Sequence, residues 1–90
     1  MIVTWAARAR RDLDDIHAYI ARRDSPARAT AVLSNLFAAT DQLVNFPHIG
    51  RPGAKPGTRE LVVSPYILPY RVRAQQVVIL RVIHGARQRT

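Results

Sequence analysis

The chain has 90 residues, enough for a single domain over residues 1–90, and 48% of them are hydrophobic, which indicates a folded rather than a disordered chain. Cysteine is absent, which excludes a disulfide framework, a thiolate zinc site and a thiol nucleophile. The 14 lysines and arginines outnumber the 6 acidic residues, and the formal net charge of +8 predicts a nucleic acid or an acidic protein as partner.

The N-terminal half is predicted to form a short strand and two helices. The β-branched and aromatic run Ile2–Trp5 is typical of a strand. Apolar residues then recur at spacings of four, three and four, which predicts a helix over 6–23. Ser25 can cap a second helix that has Pro26 at its first position and ends before Pro47. The apolar side of this second helix consists of Ala29, Val32, Leu33, Leu36, Thr40, Leu43 and Val44. The short turn between the helices predicts an antiparallel hairpin.

The C-terminal half is predicted to form a loop and three strands. Glycine and proline are concentrated in the loop at 48–58, and the strands cover 59–64, 66–73 and 77–84. Pro69 cannot donate to a neighbouring strand, so the middle strand needs a bulge or a non-bonded register there. The predicted fold is therefore α+β with the order β-α-α-β-β-β, in which the helical hairpin packs on one face of a small antiparallel sheet.

Alternation along the three strands assigns their side chains to two faces. The face toward the helices is predicted to be apolar and to hold Leu61, Val63, Tyr66, Leu68, Tyr70, Val72, Val78, Leu80 and Val82. The helix-free face is predicted to mix charged and apolar residues, namely Glu60, Val62, Ile67, Arg71, Arg73, Val77, Ile79, Arg81 and Ile83. Such a mixture is typical of a face that a partner covers. The alternative is that its arginines are ordinary solvated residues and that the loop folds over the rest.

Several motifs occur in order along nearly the whole chain. The first predicted helix carries a Leu and an Ile followed by Tyr-Ile-Ala, the loop carries Gly-Arg and Gly-x-Arg-Glu-Leu, and the last strand leads into Gly-Ala-Arg. The residues concerned are Asp12, Leu13, Ile16, Tyr19, Ile20, Ala21, Pro47, Gly50, Arg51, 57–61, Tyr66, 70–72 and 78–87. This ordered set resembles the RelE/ParE superfamily, the toxin halves of bacterial type II toxin–antitoxin pairs. The resemblance implies the same fold as the predicted order of elements.

Within the superfamily the chain is more similar to ParE than to RelE. RelE-like members are ribosome-dependent endoribonucleases that use lysines, arginines and a tyrosine, or a Glu/His/Tyr set, whereas Lys55 is the only lysine here and no tyrosine follows His84. ParE-like members inhibit DNA gyrase, and many have a Trp near the end, where this chain has Arg89. The resemblance implies a gyrase inhibitor that is not an enzyme. An mRNA endoribonuclease is the first alternative, and a plain basic nucleic-acid-binding module is the second.

Each hypothesis selects its own candidate residues. Target binding is assigned to exposed arginines, namely Arg51, Arg71, Arg81 and Arg87. Contact with an acidic antitoxin is assigned to Arg71, Arg73, Ile79, Arg81, Ile83, Leu36 and Val44. In a ribonuclease, His84 would act as general base toward a ribose 2′-OH, assisted by Arg81 and Arg59. The structural alternatives are that His84 bonds a carbonyl group and that Arg59 pairs with Asp12 or Asp15.

The remaining expectations are absences. No metal site is predicted, because cysteine is missing and few carboxylates lie near the histidines. No cofactor is expected. The N-terminus lacks the charged-then-apolar pattern of a signal peptide, and no apolar run is long enough to span a bilayer. A cytoplasmic protein is therefore expected.

Overall fold

The computed structural model describes residues 1–85, and its elements follow the predicted order, with one short strand added and the last predicted strand divided into two. The helices are α1 (Ala7–Arg23) and α2 (Pro26–Asp41), and a 3₁₀ turn at Gln42–Val44 follows α2. The strands are β1 (Ile2–Trp5), β2 (Arg51–Pro52), β3 (Arg59–Val63), β4 (Tyr66–Arg73), β5 (Gln76–Ile79) and β6 (Ile83–His84). In this part of the chain, neither helix has the length and apolar character that crossing a membrane requires.

The helical hairpin forms as predicted and packs on one face of the sheet. The Ser25 hydroxyl accepts a hydrogen bond from the Arg28 N–H at 3.1 Å, and Pro26 occupies the first turn of α2. Trp5 of β1 contacts Phe37 of α2 edge to face, with ring centroids 5.4 Å apart. The core between the helices and the sheet consists of Ala9, Leu13, Leu36, Leu43, Leu61, Leu68, Tyr70, Val77, Ile79 and Val82.

The sheet is mixed, whereas a purely antiparallel sheet was predicted. Its strand order is β1-β5-β4-β3-β2, and β6 pairs with β4 beyond the end of β5. Every pair is antiparallel except β1 with β5, which is parallel. The difference arises at β2, which lies inside the predicted loop and runs antiparallel to β3. Because β2 reverses the chain once more before β3, both β3 and β5 run in the direction of β1.

One extra residue interrupts the last predicted strand between β5 and β6. Tyr70 of β4 pairs with Ile79, and Ile67 of β4 pairs with Ile83. The three residues 80–82 therefore lie opposite only two residues of β4. Pro69 is one of those two, and its carbonyl accepts a hydrogen bond from the Leu80 N–H at 2.8 Å. The N–H that proline lacks would point to the same side, toward residues 80–82, so the pairing of β4 with β3 loses no hydrogen bond. The irregularity predicted from Pro69 is thus confirmed.

The extra residue changes which side chains of the last strand face the helices. Val77 and Ile79 are fully buried beneath the helices, so their predicted position on the helix-free face is wrong. Val78, predicted in the core, lies on the opposite face, and Leu80 lies half-buried at the break. Beyond the break, Val82 is buried as predicted. Strict alternation cannot bring 77, 79 and 82 to one face, because an inserted residue shifts the alternation by one position.

Candidate functional site

Arg81 was predicted on the helix-free face, but the structure binds it to α1. Its Nε lies 2.8 Å and its Nη2 3.4 Å from the carboxylate oxygens of Asp12, which is only 9% exposed. The same carboxylate accepts a hydrogen bond from the Val82 N–H at 2.8 Å. Arg8, one turn earlier on α1, makes a longer contact of 3.8 Å. Asp12 therefore holds the break between β5 and β6 against α1, and the predicted facing of Arg81 is wrong because the extra residue takes it out of alternation.

Arg59 also has an internal partner, and it is a backbone carbonyl rather than a helix carboxylate. The Arg59 Nη1 donates to the Gly50 carbonyl at 2.8 Å. The Gly50 N–H in turn donates to the Tyr70 hydroxyl at 2.9 Å, and that hydroxyl donates to the Pro47 carbonyl at 2.8 Å. Tyr70 is fully buried. Together Arg59 and Tyr70 fix the segment between α2 and β2 onto the sheet, which is a structural role for Arg59.

The helix-free face of the sheet has a basic half, which comprises Arg51, Arg71 and Arg73. Arg71 and Arg73 lie two residues apart on β4 and therefore share a face. Arg51 of β2 pairs with Glu60 of β3, and both the Nε and the Nη2 of Arg51 lie 2.9 Å from a Glu60 carboxylate oxygen. This ion pair buries Glu60 and orients the Arg51 guanidinium. The structure thus places two of the predicted target-binding arginines, Arg51 and Arg71, on one surface.

The other half of this face is apolar and comprises Val62, Ile67 and Ile83. Val62 pairs with Ile67 across β3 and β4, and Ile67 pairs with Ile83 across β4 and β6. Paired residues of antiparallel strands project to the same side, so the three side chains form one row. Val62 is 51% exposed although it is apolar. The predicted mixture of arginines and apolar residues on the helix-free face is therefore present, but it is sorted into two halves.

Two residues predicted to contact an antitoxin offer it no surface. Leu36 is 1% exposed and Ile79 is 0% exposed, because both belong to the core between α2 and the sheet. Arg87, predicted to bind the target, lies outside the described residues. Apart from Arg81, the remaining predicted antitoxin contacts keep at least part of their surface accessible. These residues are Val44, Ile83, Arg71 and Arg73.

His84 lies on the helix side of β6, as predicted, at a cleft beside α1. It pairs with Tyr66 of β4, and the two rings meet edge to face with centroids 5.6 Å apart. The cleft has a volume of about 620 Å³. Besides these two rings it is lined by α1 residues, namely Asp15, Ile16, Ala18, Tyr19, Ile20 and Arg22. A histidine and a phenol at one cleft form a pair that could transfer protons.

The three residues predicted for a ribonuclease do not converge on this cleft. Arg59 pairs with Tyr70 of β4 and His84 pairs with Tyr66, four positions along the same strand. At the rise of an extended strand this separation is about 13 Å. Arg81 is nearer in sequence, but its guanidinium is bound to Asp12. The geometry therefore leaves His84 without the two arginines that were predicted to assist it.

Comparison with known proteins agrees with this fold. A family model described as the ParE toxin of the type II toxin–antitoxin system parDE matches residues 3–89. The putative toxin Y4kP of Sinorhizobium fredii is 44% identical over 96% of this chain and 90% of its own. Toxin RelE2 of Caulobacter vibrioides is 36% identical over 94% of this chain and 96% of its own. A chain from the chromosomal ParDE toxin–antitoxin system of P. aeruginosa is 28% identical with a TM-score of 0.85, covering 93% of this chain and 95% of that one. With nearly its whole length matched, this chain belongs to the family of ParE toxins of type II toxin–antitoxin systems.

Proposed function

We propose that this toxin acts by binding DNA gyrase, without chemistry of its own, and that an acidic antitoxin neutralises it. Membership of the toxin family establishes the kind of system, and its relatives carry both ParE and RelE names. The choice of gyrase as the target is our proposal, as is the absence of enzymatic activity. A target of this kind implies that the toxin works in the cytoplasm.

The dispersal of the predicted ribonuclease residues is the observation that carries this proposal. General acid–base catalysis needs its groups within hydrogen-bonding reach of the same reacting atoms. Here the Arg81 guanidinium is bound to Asp12, and Arg59 is bound to the Gly50 carbonyl. A cation already bound inside the fold must break that contact before it can stabilise a charged transition state. The arrangement supports a toxin that acts by binding its target and not by catalysis.

A ribosome-dependent endoribonuclease remains the second candidate, and one specific observation favours it. His84 and Tyr66 lie together at the cleft beside α1, where Asp15 and Arg22 are also present. A histidine could accept the proton of a ribose 2′-OH there, and a nearby cation could stabilise the developing negative charge. If the toxin is a ribonuclease, removal of the His84 imidazole should therefore abolish RNA cleavage. If the toxin inhibits gyrase, the same change should leave that inhibition intact.

We expect purified toxin to inhibit supercoiling by gyrase and to trap cleaved plasmid DNA, and we expect His84→Gln to retain both effects. The same two proteins should leave mRNA intact on translating ribosomes. Thermal melts would establish that the variant is folded, and Arg10→Ala, an exposed change on α1, serves as a control. Normal supercoiling at saturating toxin, together with mRNA cleavage that His84→Gln removes, would replace the gyrase proposal with the ribonuclease candidate.

For the antitoxin, we propose that an acidic segment covers the apolar half of the helix-free face. Val62, Ile67 and Ile83 offer apolar anchor sites, and the adjoining arginines Arg71 and Arg73 suit carboxylates. A net charge of +8 would steer such a segment toward the toxin, and the apolar row would bury surface as the segment becomes ordered. The exposed Val44, at the end of the 3₁₀ turn, is a further predicted contact.

A further inference from the structure

We infer that the basic half of the helix-free face binds the phosphate backbone of duplex DNA directly. This inference deepens the proposed gyrase function, because it makes the toxin contact the DNA that gyrase holds as well as the enzyme. The contact itself needs no gyrase. It can therefore be tested on toxin and DNA alone, and its failure would be distinct from a failure of the gyrase proposal.

The distribution of charge along the chain is the first observation. Residues 1–41, which form β1 and the helical hairpin, contain six cations and five acids. Residues 42–90 contain eight cations and one acid, Glu60. Residues 42–85, which build β2 to β6, contain six of these cations and a net charge of +5, compared with +1 for residues 1–41. A polyanion approaching the toxin is attracted to the sheet and much less to the hairpin.

The second observation is which of these cations remain available to a partner. Arg81 and Arg59 are bound inside the fold to Asp12 and to a backbone carbonyl. Arg71 and Arg73, in contrast, make no ion pair within residues 1–85. Two positions along a strand separate the two by about 7 Å on the same face. Arg73 is exposed and Arg71 is half-buried, so both keep surface that a partner can reach.

Arg51 adds a third cation to this surface, and its guanidinium is already oriented. Both of its contacts to Glu60 measure 2.9 Å and fix the direction of the guanidinium, while 56% of the side chain stays exposed and accessible to a partner. Arg51 lies on β2, two strands from β4, which corresponds to about 10 Å across the sheet. The basic half therefore presents guanidinium groups spaced in two directions over a surface. Guanidinium groups bind phosphates through paired N–H donors.

The surroundings of these arginines favour a phosphate backbone over an acidic protein. A stable protein interface needs an apolar centre that loses its water. Next to Arg71 on this face lie the half-buried Val78 of β5 and Thr4 of β1, and the Thr4 hydroxyl donates to the side-chain oxygen of Gln76 at 3.2 Å. The apolar row is in the other half of the face. Binding to a DNA backbone needs cations and little apolar surface, because it is driven by the release of counterions from the phosphates.

The test is the salt dependence of binding to a short fluorescein-labelled DNA duplex of mixed sequence, followed by anisotropy. The double variant Arg71→Ala/Arg73→Ala removes two cations from the basic half. The matched control Arg10→Ala/Arg11→Ala removes the same charge from exposed positions of α1. Each phosphate contact contributes about 0.9 to the slope of log K against log salt, so the site variant should lower the slope by about 2. The control should leave the slope close to that of the unmodified toxin.

Three outcomes would overturn the inference. In the first, the unmodified toxin would fail to bind the duplex at low salt. In the second, both double variants would lower the slope of log K against log salt by the same amount, which would reflect net charge alone. In the third, a site variant that binds DNA normally and still inhibits gyrase would refute the DNA contact and leave the gyrase function standing. Thermal melts of both variants would establish that they are folded.

Discussion

Replacing Asp12 with alanine should lower the free energy of unfolding by about 2–4 kcal/mol, the expected cost of leaving a buried N–H unsatisfied and of breaking a partly exposed ion pair. The carboxylate is the acceptor for both the Arg81 guanidinium and the Val82 N–H, and alanine offers neither hydrogen bond. The Arg81 side chain is 38% exposed, so water can replace part of what it loses. The Val82 N–H is buried, and its loss should account for much of the effect.

Two further variants separate the contributions of Asp12. Asp12→Asn keeps an oxygen that can accept from the Val82 N–H but removes the charge that holds Arg81, so its effect should be smaller. Arg8→Ala removes only a 3.8 Å contact from a side chain that is 58% exposed. Such surface contacts contribute about 0–1 kcal/mol. Urea unfolding would measure these losses in the free energy of unfolding, provided that the variants depend equally on urea concentration. If Asp12→Ala loses no more free energy of unfolding than Arg8→Ala does, the assigned role of Asp12 is refuted.

Replacing Gly50 with alanine should lower the free energy of unfolding by about 2–3 kcal/mol, as overpacking a tight site does. An added Cβ would lie 2.6 Å from the Tyr70 hydroxyl oxygen and 2.8 Å from the Glu60 carbonyl oxygen. Tyr70 is fully buried and its hydroxyl bonds two backbone groups, so it cannot move aside without breaking them. The strain should loosen the segment from Pro47 to β2 on the sheet.

Gly57→Ala is the comparison for this effect. Its added Cβ would meet only the Arg71 guanidinium at 3.8 Å, but the backbone has a φ of +78°, which costs alanine about 1–2 kcal/mol. Gly57→Ala therefore reports the cost of glycine's backbone freedom, and Gly50→Ala reports the cost of close approach. Thermal or urea unfolding of both variants would measure the two losses of stability. A smaller loss at Gly50 than at Gly57 would show that the Tyr70 contact is not tight in solution.

The features predicted correctly from the sequence are those that local patterns determine. Ser25 and Pro26 define the start of α2 through their own chemistry, and the alternation along β3 and β4 places Leu61 and Leu68 in the core. The strand β2 was missed because it has only two residues, Arg51–Pro52, in a segment rich in glycine and proline. The parallel pairing of β1 with β5 joins opposite ends of the chain, which no local pattern determines.

The facing of the last strand could not be derived from alternation alone. Pro69 indicates an irregularity, but it lies on β4, and the extra residue lies opposite it at 80–82. Nothing in the composition of that segment identifies the inserted position. The error moved Ile79 and Arg81 onto the helix-free face and, with them, into the predicted sites.

The role of Asp12 had a signal in the sequence that the prediction did not use. Asp12 is three residues after Ala9 and four before Ile16, so it falls within the apolar stripe of α1. A carboxylate at such a position requires a buried partner. The pattern does not identify that partner, because Arg81 reaches Asp12 only through the fold. This limitation explains why structural and functional arginines could not be separated from the sequence.

The most direct test of the proposed function is inducible expression of this chain in a bacterial host, alone and together with the acidic protein of the adjacent gene. We predict that the chain alone arrests growth, induces the DNA-damage response and accumulates DNA cleaved by gyrase. Co-expression of the partner should restore growth, and the two proteins should purify as one complex. Normal growth despite accumulation of folded toxin would contradict the account, as would growth arrest with cleaved mRNA and no trapped gyrase complexes.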